Sequence, residues 1–195
     1  FTGLTAGTYH VEVNDENNCG PVSTYDITLT EPSAIDVTVE STSEVTCNGA
    51  SDGSITVSAT GGTGSLTYTL NPGGTTNTTG EFTDLSGDTY TVEVTDGNDC
   101  SVTTGDVLIN EPAAINITDV TTQDATTSGG SDGSITVTAE GGTGTLTYKL
   151  LPDDITNSTG EFSNLEAGTY SIEITDENGC GPVDSTGILV TDPSS

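Results

Sequence analysis

Ser51-Asp52-Gly53-Ser54-Ile55-Thr56-Val57-Ser58-Ala59 alternates polar and apolar side chains from Ser54 onward, putting Ile55, Val57 and Ala59 on one face and Ser54, Thr56 and Ser58 on the other. A period of two is the mark of a half-buried β-strand. Leu66-Thr67-Tyr68-Thr69-Leu70 and Tyr90-Thr91-Val92-Glu93-Val94 follow the same rule. The opening stretch returns as Ser131-Asp132-Gly133-Ser134-Ile135, so the strand belongs to a repeating unit.

The register extends along the chain. Phe1, Phe82 and Phe162 align at offsets of 81 and 80 residues, which also superimpose Asp15-Glu16-Asn17-Asn18-Cys19, Asp96-Gly97-Asn98-Asp99-Cys100 and Asp176-Glu177-Asn178-Gly179-Cys180. The offset differs because Cys19 to Pro32 and Cys180 to Pro193 are 13 steps whereas Cys100 to Pro112 is 12, which places an indel in a loop or bulge. Each repeat closes on an acid and a proline (Glu31-Pro32, Glu111-Pro112, Asp192-Pro193), a pair that extends the backbone and ends a strand. The boundaries drawn there give 1–31 as the C-terminal part of a repeat, then complete repeats at 32–111 and 112–195. Phe1 aligns with the middle of a later repeat, so the sequence reads as a window on a longer chain. The linkers Pro32-Ser33-Ala34 and Pro112-Ala113-Ala114 hold no Gly-Ser tract, and the repeats are expected to abut as a stiff rod.

In the repeat 32–111, strands are predicted at 35–40, 54–59, 66–70, 75–79, 81–84, 89–95 and 105–110. Seven short strands at this spacing predict an all-β fold of tandem immunoglobulin-like (PKD-like) antiparallel β-sandwiches of about eighty residues. Leu85 to Tyr90, repeated as Leu4 to Tyr9 and Leu165 to Tyr170, has the pattern of a tyrosine corner, with a left-handed residue expected at Asp88 and its equivalents Gly7 and Gly168.

Composition excludes several partners. One Lys or Arg stands against 30 Asp and Glu, a net charge of -29, so nothing could replace the counterions of nucleic acid or hold an anionic membrane surface. The charge leaves cation binding or solubility by self-repulsion. Hydrophobic residues make up only 30%, near the disordered range, but their strict alternation argues for a folded chain. No run of eighteen apolar residues and no basic-then-apolar opening occurs, so neither membrane insertion nor a targeting segment is expected.

Catalysis is not expected. His10 is the only histidine and Lys149 the only basic residue, so neither a Ser-His-Asp nor a Cys-His arrangement can be assembled. His10 reads as a solvated strand position, Thr91 and Ser171 standing there in the other repeats. Gly61-Gly62-Thr63-Gly64 reads as a hairpin loop, because neither a helix nor a Lys follows it as a phosphate cradle requires.

Cys47-Asn48-Gly49, Ser51-Asp52-Gly53-Ser54-Ile55-Thr56-Val57, Gly61-Gly62, Leu85, Tyr90, Val92, Val94, Asp96, Asn98, Cys100 and Ile109 with Glu111-Pro112 resemble the SprB-type repeats of giant Bacteroidota surface adhesins. Those adhesins leave the cell by the type 9 secretion system and serve gliding motility or attachment. The resemblance implies an extracellular, cell-surface segment, a stalk or filament that carries a binding region away from the cell. Its partners would be neighbouring repeats of the same chain and other copies in a fibre. Two other readings are a module that binds a glycan or surface directly, and an accessory domain of a secreted hydrolase. Thr127 departs from the pattern by occupying the position of Cys47.

Four cysteines in small, weak cores point to oxidation outside the cell, the alternative being buried free thiols. Two pairings are open. Cys47 with Cys100 is the usual one within a repeat, but leaves Cys180 without a partner. In a seven-strand topology the first loop lies at the outgoing end of a repeat and the last hairpin at its incoming end, which pairs Cys47 with Cys180 of the following repeat.

The acidic loops supply a metal hypothesis. Asp96, Asn98 and Asp99, and likewise Asp176 and Asn178, offer the oxygen ligands Ca²⁺ prefers, although Asp, Asn and Gly also form ordinary turns. The same topology brings Asp52, Glu111, Asp176 and Asn178 toward one calcium clamp between repeats. Asp184-Ser185-Thr186 resembles the short O-glycosylation acceptor of this phylum, with Ser185 the acceptor, and Asn77, Asn116 and Asn157 head N-linked sequons.

Overall fold

The computed structural model describes residues 1–17 and 19–193; Asn18 of the first acidic loop, and Ser194 and Ser195 of the repeat 112–195, lie outside the described residues. Among the described residues every regular element is a strand. The chain divides into two compact units, the first made of Phe1–Val39, Val57–Gly80 and Thr91–Gly105, the second of Glu40–Thr56, Glu81–Tyr90 and Asp106–Ser195.

The first unit opens with two small antiparallel pairs, one nested in sequence within the other. β1 (Gly7–Tyr9) is followed by β2 (Glu12–Val13), β3 (Val22–Ser23) and β4 (Ile27–Leu29); β1 pairs with β4 and β2 with β3. β5 (Asp36–Ser43), β6 (Gly53–Thr60), β7 (Thr67–Asn71), β8 (Thr75–Asn77), β9 (Glu81–Leu85), β10 (Asp88–Thr95), β11 (Ser101–Thr103) and β12 (Val107–Ile109) come next. Of these, β5, β6 and β10 divide their residues between the units. Within the first unit β7 pairs with β8 and with Thr91 to Thr95 of β10, whose outer neighbour is β11.

The second unit contains a whole sandwich. β13 (Asn116–Gln123), β14 (Gly133–Glu140) and β17 (Glu161–Leu165) form one antiparallel sheet in the order β13-β14-β17. β15 (Thr147–Leu151), β16 (Ile155–Asn157), β18 (Gly168–Thr175) and β19 (Val183–Val190) form the other, ordered β16-β15-β18-β19. This three-plus-four arrangement is the immunoglobulin-like sandwich. Ile135, Val137, Tyr148, Leu150, Phe162, Leu165, Tyr170, Ile172, Ile174, Ile188 and Val190 fill its interior. Fully burying a side chain such as Ile135, Leu150 or Ile172 contributes roughly 1.5–3 kcal/mol. Also in this unit, Gly53 to Thr56 of β6 pair with β9, and Asp88 to Tyr90 of β10 with β12.

The repeat seen in the sequence is a repeat of environments. β6 and β14 share one alternation of buried and less buried positions, as do β7 with β15 and β9 with β17. Ile55, Val57, Tyr68, Leu70, Phe82, Val92 and Val94 are as buried as their equivalents in the third repeat. Tyr68 and Tyr148, expected in the core, are there.

The tyrosine corner is formed three times: the hydroxyl donates to the carbonyl four residues back, Tyr9 to Thr5 at 2.8 Å, Tyr90 to Ser86 at 3.1 Å and Tyr170 to Glu166 at 3.0 Å. The left-handed residue expected at Asp88 lies instead four positions earlier, at Gly3, Asp84 and Asn164, with φ of 71°, 59° and 61°. The reason is a bulge: Gly133 pairs with Leu165 and Ser134 with Ser163, leaving Asn164 as the extra residue. Such a position demands φ > 0, which Gly, Asn and Asp tolerate best.

Two further expectations are refined. The last strand begins earlier than the predicted 105–110, with Ser101–Thr103 as β11, and the third repeat has one strand in the same place. The indel sits in the hairpin turn. Val13 pairs with Val22, Val94 with Val102 and Ile174 with Val183, so one residue, Ser101, separates the cysteine from that partner in one repeat where two, Gly20-Pro21 and Gly181-Pro182, do in the others.

Candidate functional site: the Cys47 loop and the groove that holds it

The site lies in the second unit and is built from three backbone turns. The loop between β5 and β6 is shaped by Asp52, whose Oδ1 accepts the Thr46 amide at 3.0 Å and whose Oδ2 accepts the Thr46 hydroxyl. The Ala50 amide closes the inner turn onto the Cys47 carbonyl at 3.0 Å. These bonds hold the Asp52 carboxyl below its ordinary range, the Thr46 hydroxyl first and its amide second.

The second turn is the β18–β19 hairpin. Asp176 Oδ1 accepts the amides of Asn178 and Cys180, both at 2.9 Å, and its Oδ2 accepts the Thr143 amide at 2.8 Å. Burial pushes this carboxyl up, but the amides of Thr143, Cys180, Asn178 and Gly179 outweigh it and the net shift is downward. A buried carboxylate is tolerated here because donors fill both oxygens. The Gly141-Gly142-Thr143 turn completes the floor, its Gly142 amide donating to Ala113 at 2.8 Å. A Cβ at Gly141 would stand 2.0 Å from the Ala114 carbonyl oxygen, so this approach requires glycine.

Onto this floor the first loop is fastened covalently. Cys47 and Cys180 form a disulfide, with 5.5 Å between Cα atoms and a sequence separation of 133. Polar contacts flank it: Asn178 Nδ2 donates to the Thr46 carbonyl at 3.2 Å, Asn48 Nδ2 to the Pro112 carbonyl at 3.0 Å, and the Gly49 amide to Glu111 Oε1. The cleft, about 200 Å³, is lined by Cys47, Asn48, Ala113 to Ile115, Gly142, Asp176 and Cys180. Sequence reasoning missed the part played by Asn48, Pro112 and Ala113 to Ile115. The one available signal was the position of Asn48 beside Cys47.

Of the two pairings open in the sequence, the structure contains Cys47–Cys180 and not Cys47–Cys100. The Cys47 loop is hydrogen-bonded to Asn110, Glu111 and Pro112, and also to Asn178 in the hairpin that carries Cys180. Cys19 and Cys100 are free and exposed, so the alternative of buried thiols is also set aside.

The residues grouped as a calcium clamp meet around this loop through hydrogen bonds. Asp52 and Asn178 both contact Thr46, and Glu111 contacts Gly49. In the first unit Asp96 is filled as Asp176 is, by the amides of Asn98, Cys100 and Thr63 at 2.9, 3.0 and 2.8 Å. These amides, that of Cys100 foremost, hold its carboxyl below the usual range. Asp99 is an exposed left-handed turn residue with φ of 62°. Among the described residues no three His, Cys, Asp or Glu side chains form a group able to hold a metal ion.

Ser185 lies in β19, half-buried and paired with Ile172. Asn157 Oδ1 accepts the amides of Thr159 and Gly160, Asn77 holds the equivalent turn, and Asn116 is exposed. His10 is exposed, with Nε2 3.6 Å from Glu12, and Lys149 is bound to Asp154 at 2.7 Å.

A family model described as SprB repeat matches residues 35–75 and again 119–154. No curated protein matches the chain. Among solved structures, the chain is similar to the three N-terminal domains of the bacteriophage RB49 highly immunogenic outer capsid protein, at 18% identity over 82% of this chain and 59% of that one, TM-score 0.47. It is also similar to the surface layer protein SbsC, domains 1–6, at 14% identity over 99% of this chain and 36% of that one, TM-score 0.32. The chain thus spans less than two thirds of either structure. At residues 35–75 and 119–154 this protein carries SprB-type repeats.

Proposed function

We propose that this chain is a non-enzymatic, load-bearing segment of an extracellular bacterial surface protein, a stalk that carries a binding region away from the cell for adhesion or gliding. The observation that carries the reading is the Cys47–Cys180 bond, which ties the outgoing loop of one repeat to the incoming hairpin of the next. A bond of this kind persists in oxidising surroundings, which fits a secreted protein. It also suits a mechanical role, because force applied along the chain passes from Cys47 to Cys180 through the covalent link and bypasses the stretch between them, β13 to β18 included. The acidic side chains best placed for chemistry, Asp52, Asp96 and Asp176, hold turns together, and the charge of -29 favours solubility and disfavours nucleic acid.

Pulling single chains by their ends tests this reading. With the disulfide intact, the 133 positions between Cys47 and Cys180 stay locked, withholding about 480 Å of contour at ~3.6 Å per residue. A reductant releases that length. Full extension of the oxidised chain would contradict a load-bearing role for the bond.

A further inference from the structure

The groove that holds the Cys47 loop has a counterpart in the first unit. There Ser33, Ala34, Ile35, Gly62, Asp96 and Cys100 stand where Ala113, Ala114, Ile115, Gly142, Asp176 and Cys180 stand in the second, and each set lines a cleft of about 200 Å³. The local construction is the same. The Gly62 amide donates to Ser33 at 2.9 Å, the Thr63 amide to Asp96 at 2.8 Å, and a Cβ at Gly61 would stand 2.0 Å from the Ala34 carbonyl oxygen, as at Gly141.

The two grooves differ in their occupant. Cys180 is half-buried under the Cys47 loop, whereas Cys100 is an exposed thiol. Asn178 and Glu111 grip that loop, but among the described residues the side chains of Asn98 and Glu31, their equivalents, have no hydrogen-bond partner. We propose that the Cys100 groove receives a Thr-Cys-Asn-Gly loop of the kind formed by Thr46 to Gly49, carried by an SprB-type repeat directly ahead, and closes a disulfide with it.

A second feature of the first unit says which segment brings that loop. Phe1, Leu4, Tyr9, Val11, Ile27 and Leu29 line an open apolar cleft of about 400 Å³. Their equivalents Phe82, Leu85, Tyr90, Val92, Val107 and Ile109 are buried. A segment like residues 32–81 therefore supplies the missing partner strands for this face, and the same segment contains the cysteine loop. Closing the bond removes one hydrogen from each of two thiols. The two electrons pass to a disulfide oxidant such as oxidised glutathione, which leaves as two thiols.

The test is a chain with a copy of residues 32–81 joined ahead of Phe1, refolded in a glutathione redox buffer, alkylated and mapped without reduction. The expected result is a Cys100 peptide linked to the added cysteine, with Cys47–Cys180 retained and Cys19 the sole reactive thiol. The Cys180→Ser variant of the original chain is a second measure that does not depend on the added segment folding. Its freed Cys47 loop should cross-link to Cys100 of another copy. If Cys100 remains alkylatable in both chains, or pairs with Cys19 or with Cys100 of another copy, the proposal is overturned. Retention of Cys47–Cys180 in that case leaves the load-bearing reading standing.

Discussion

Asn178 donates its side-chain amide to the Thr46 carbonyl across 3.2 Å, joining residues 132 positions apart in two successive repeats. Beside it runs the only covalent crosslink among the described residues. The amide orients the loop and the disulfide makes its attachment permanent in an oxidising medium.

Removing the crosslink should therefore destabilise the second unit. In the chain-entropy account a bond closing a loop this long is worth roughly 5 kcal/mol, and native disulfides in small secreted domains typically contribute about 2–5 kcal/mol. The double variant Cys47→Ser, Cys180→Ser should lose an amount in that range in denaturant unfolding. The oxidised and reduced parent should differ similarly, while the double variant becomes insensitive to reductant.

Asp176 gives a pH signature. Its pKa is lowered in the folded chain, so its stabilising effect is complete above the unfolded value of 3.8 and disappears as pH falls through the folded pKa. Asp176→Asn should lower the melting temperature at pH 7. The gap between variant and parent should narrow below about pH 3.8 and close in stronger acid. A gap independent of pH would show that the charge is not what the surrounding amides hold.

In the core of the third repeat, Ile172 is fully buried and Ile172→Ala should cost about 2–5 kcal/mol. Tyr170→Phe keeps the ring and deletes only the bond to the Glu166 carbonyl, so its cost should be near 1 kcal/mol. Denaturant titration of both variants checks the order. Equal costs would mean that the tyrosine corner contributes more than one ordinary hydrogen bond.

Calcium can be separated from simple screening. The carboxylates of Asp52 and Asp176 already accept protein donors, so millimolar calcium should raise the melting temperature no further than sodium chloride of equal ionic strength. A calcium-specific rise abolished by Asp52→Asn would instead establish the clamp.

Much of this fold was legible because local and tertiary preferences agree. The alternation at Ser54 to Ala59 is the alternation of burial in β6, and the Leu85 to Tyr90 pattern is a tyrosine corner. Asp84 and Asn164 were harder to read, because a bulge depends on the register with a partner strand and leaves little local trace. The site was half legible. Cysteine positions and topology reduced the pairing of Cys47 to two choices, but the choice between them rests on Asn110, Glu111, Pro112 and Asn178. The approach of Glu111 and Asn178 to that loop was expected from the topology, as ligands, but the bonds made by the Asn110 and Pro112 carbonyls carry no sequence signature. The acidic loops read equally as ligands and as turns, because carboxylate oxygens serve Ca²⁺ and backbone amides alike.

The measurement that bears most directly on this account is peptide mapping of the unreduced, alkylated chain. Cleavage should be at acidic residues, since Lys149 is the only basic site. The account predicts a Cys47 peptide linked to the Cys180 peptide, with Cys19 and Cys100 alkylated. A Cys47 peptide linked to Cys100, with Cys180 alkylated, would contradict it.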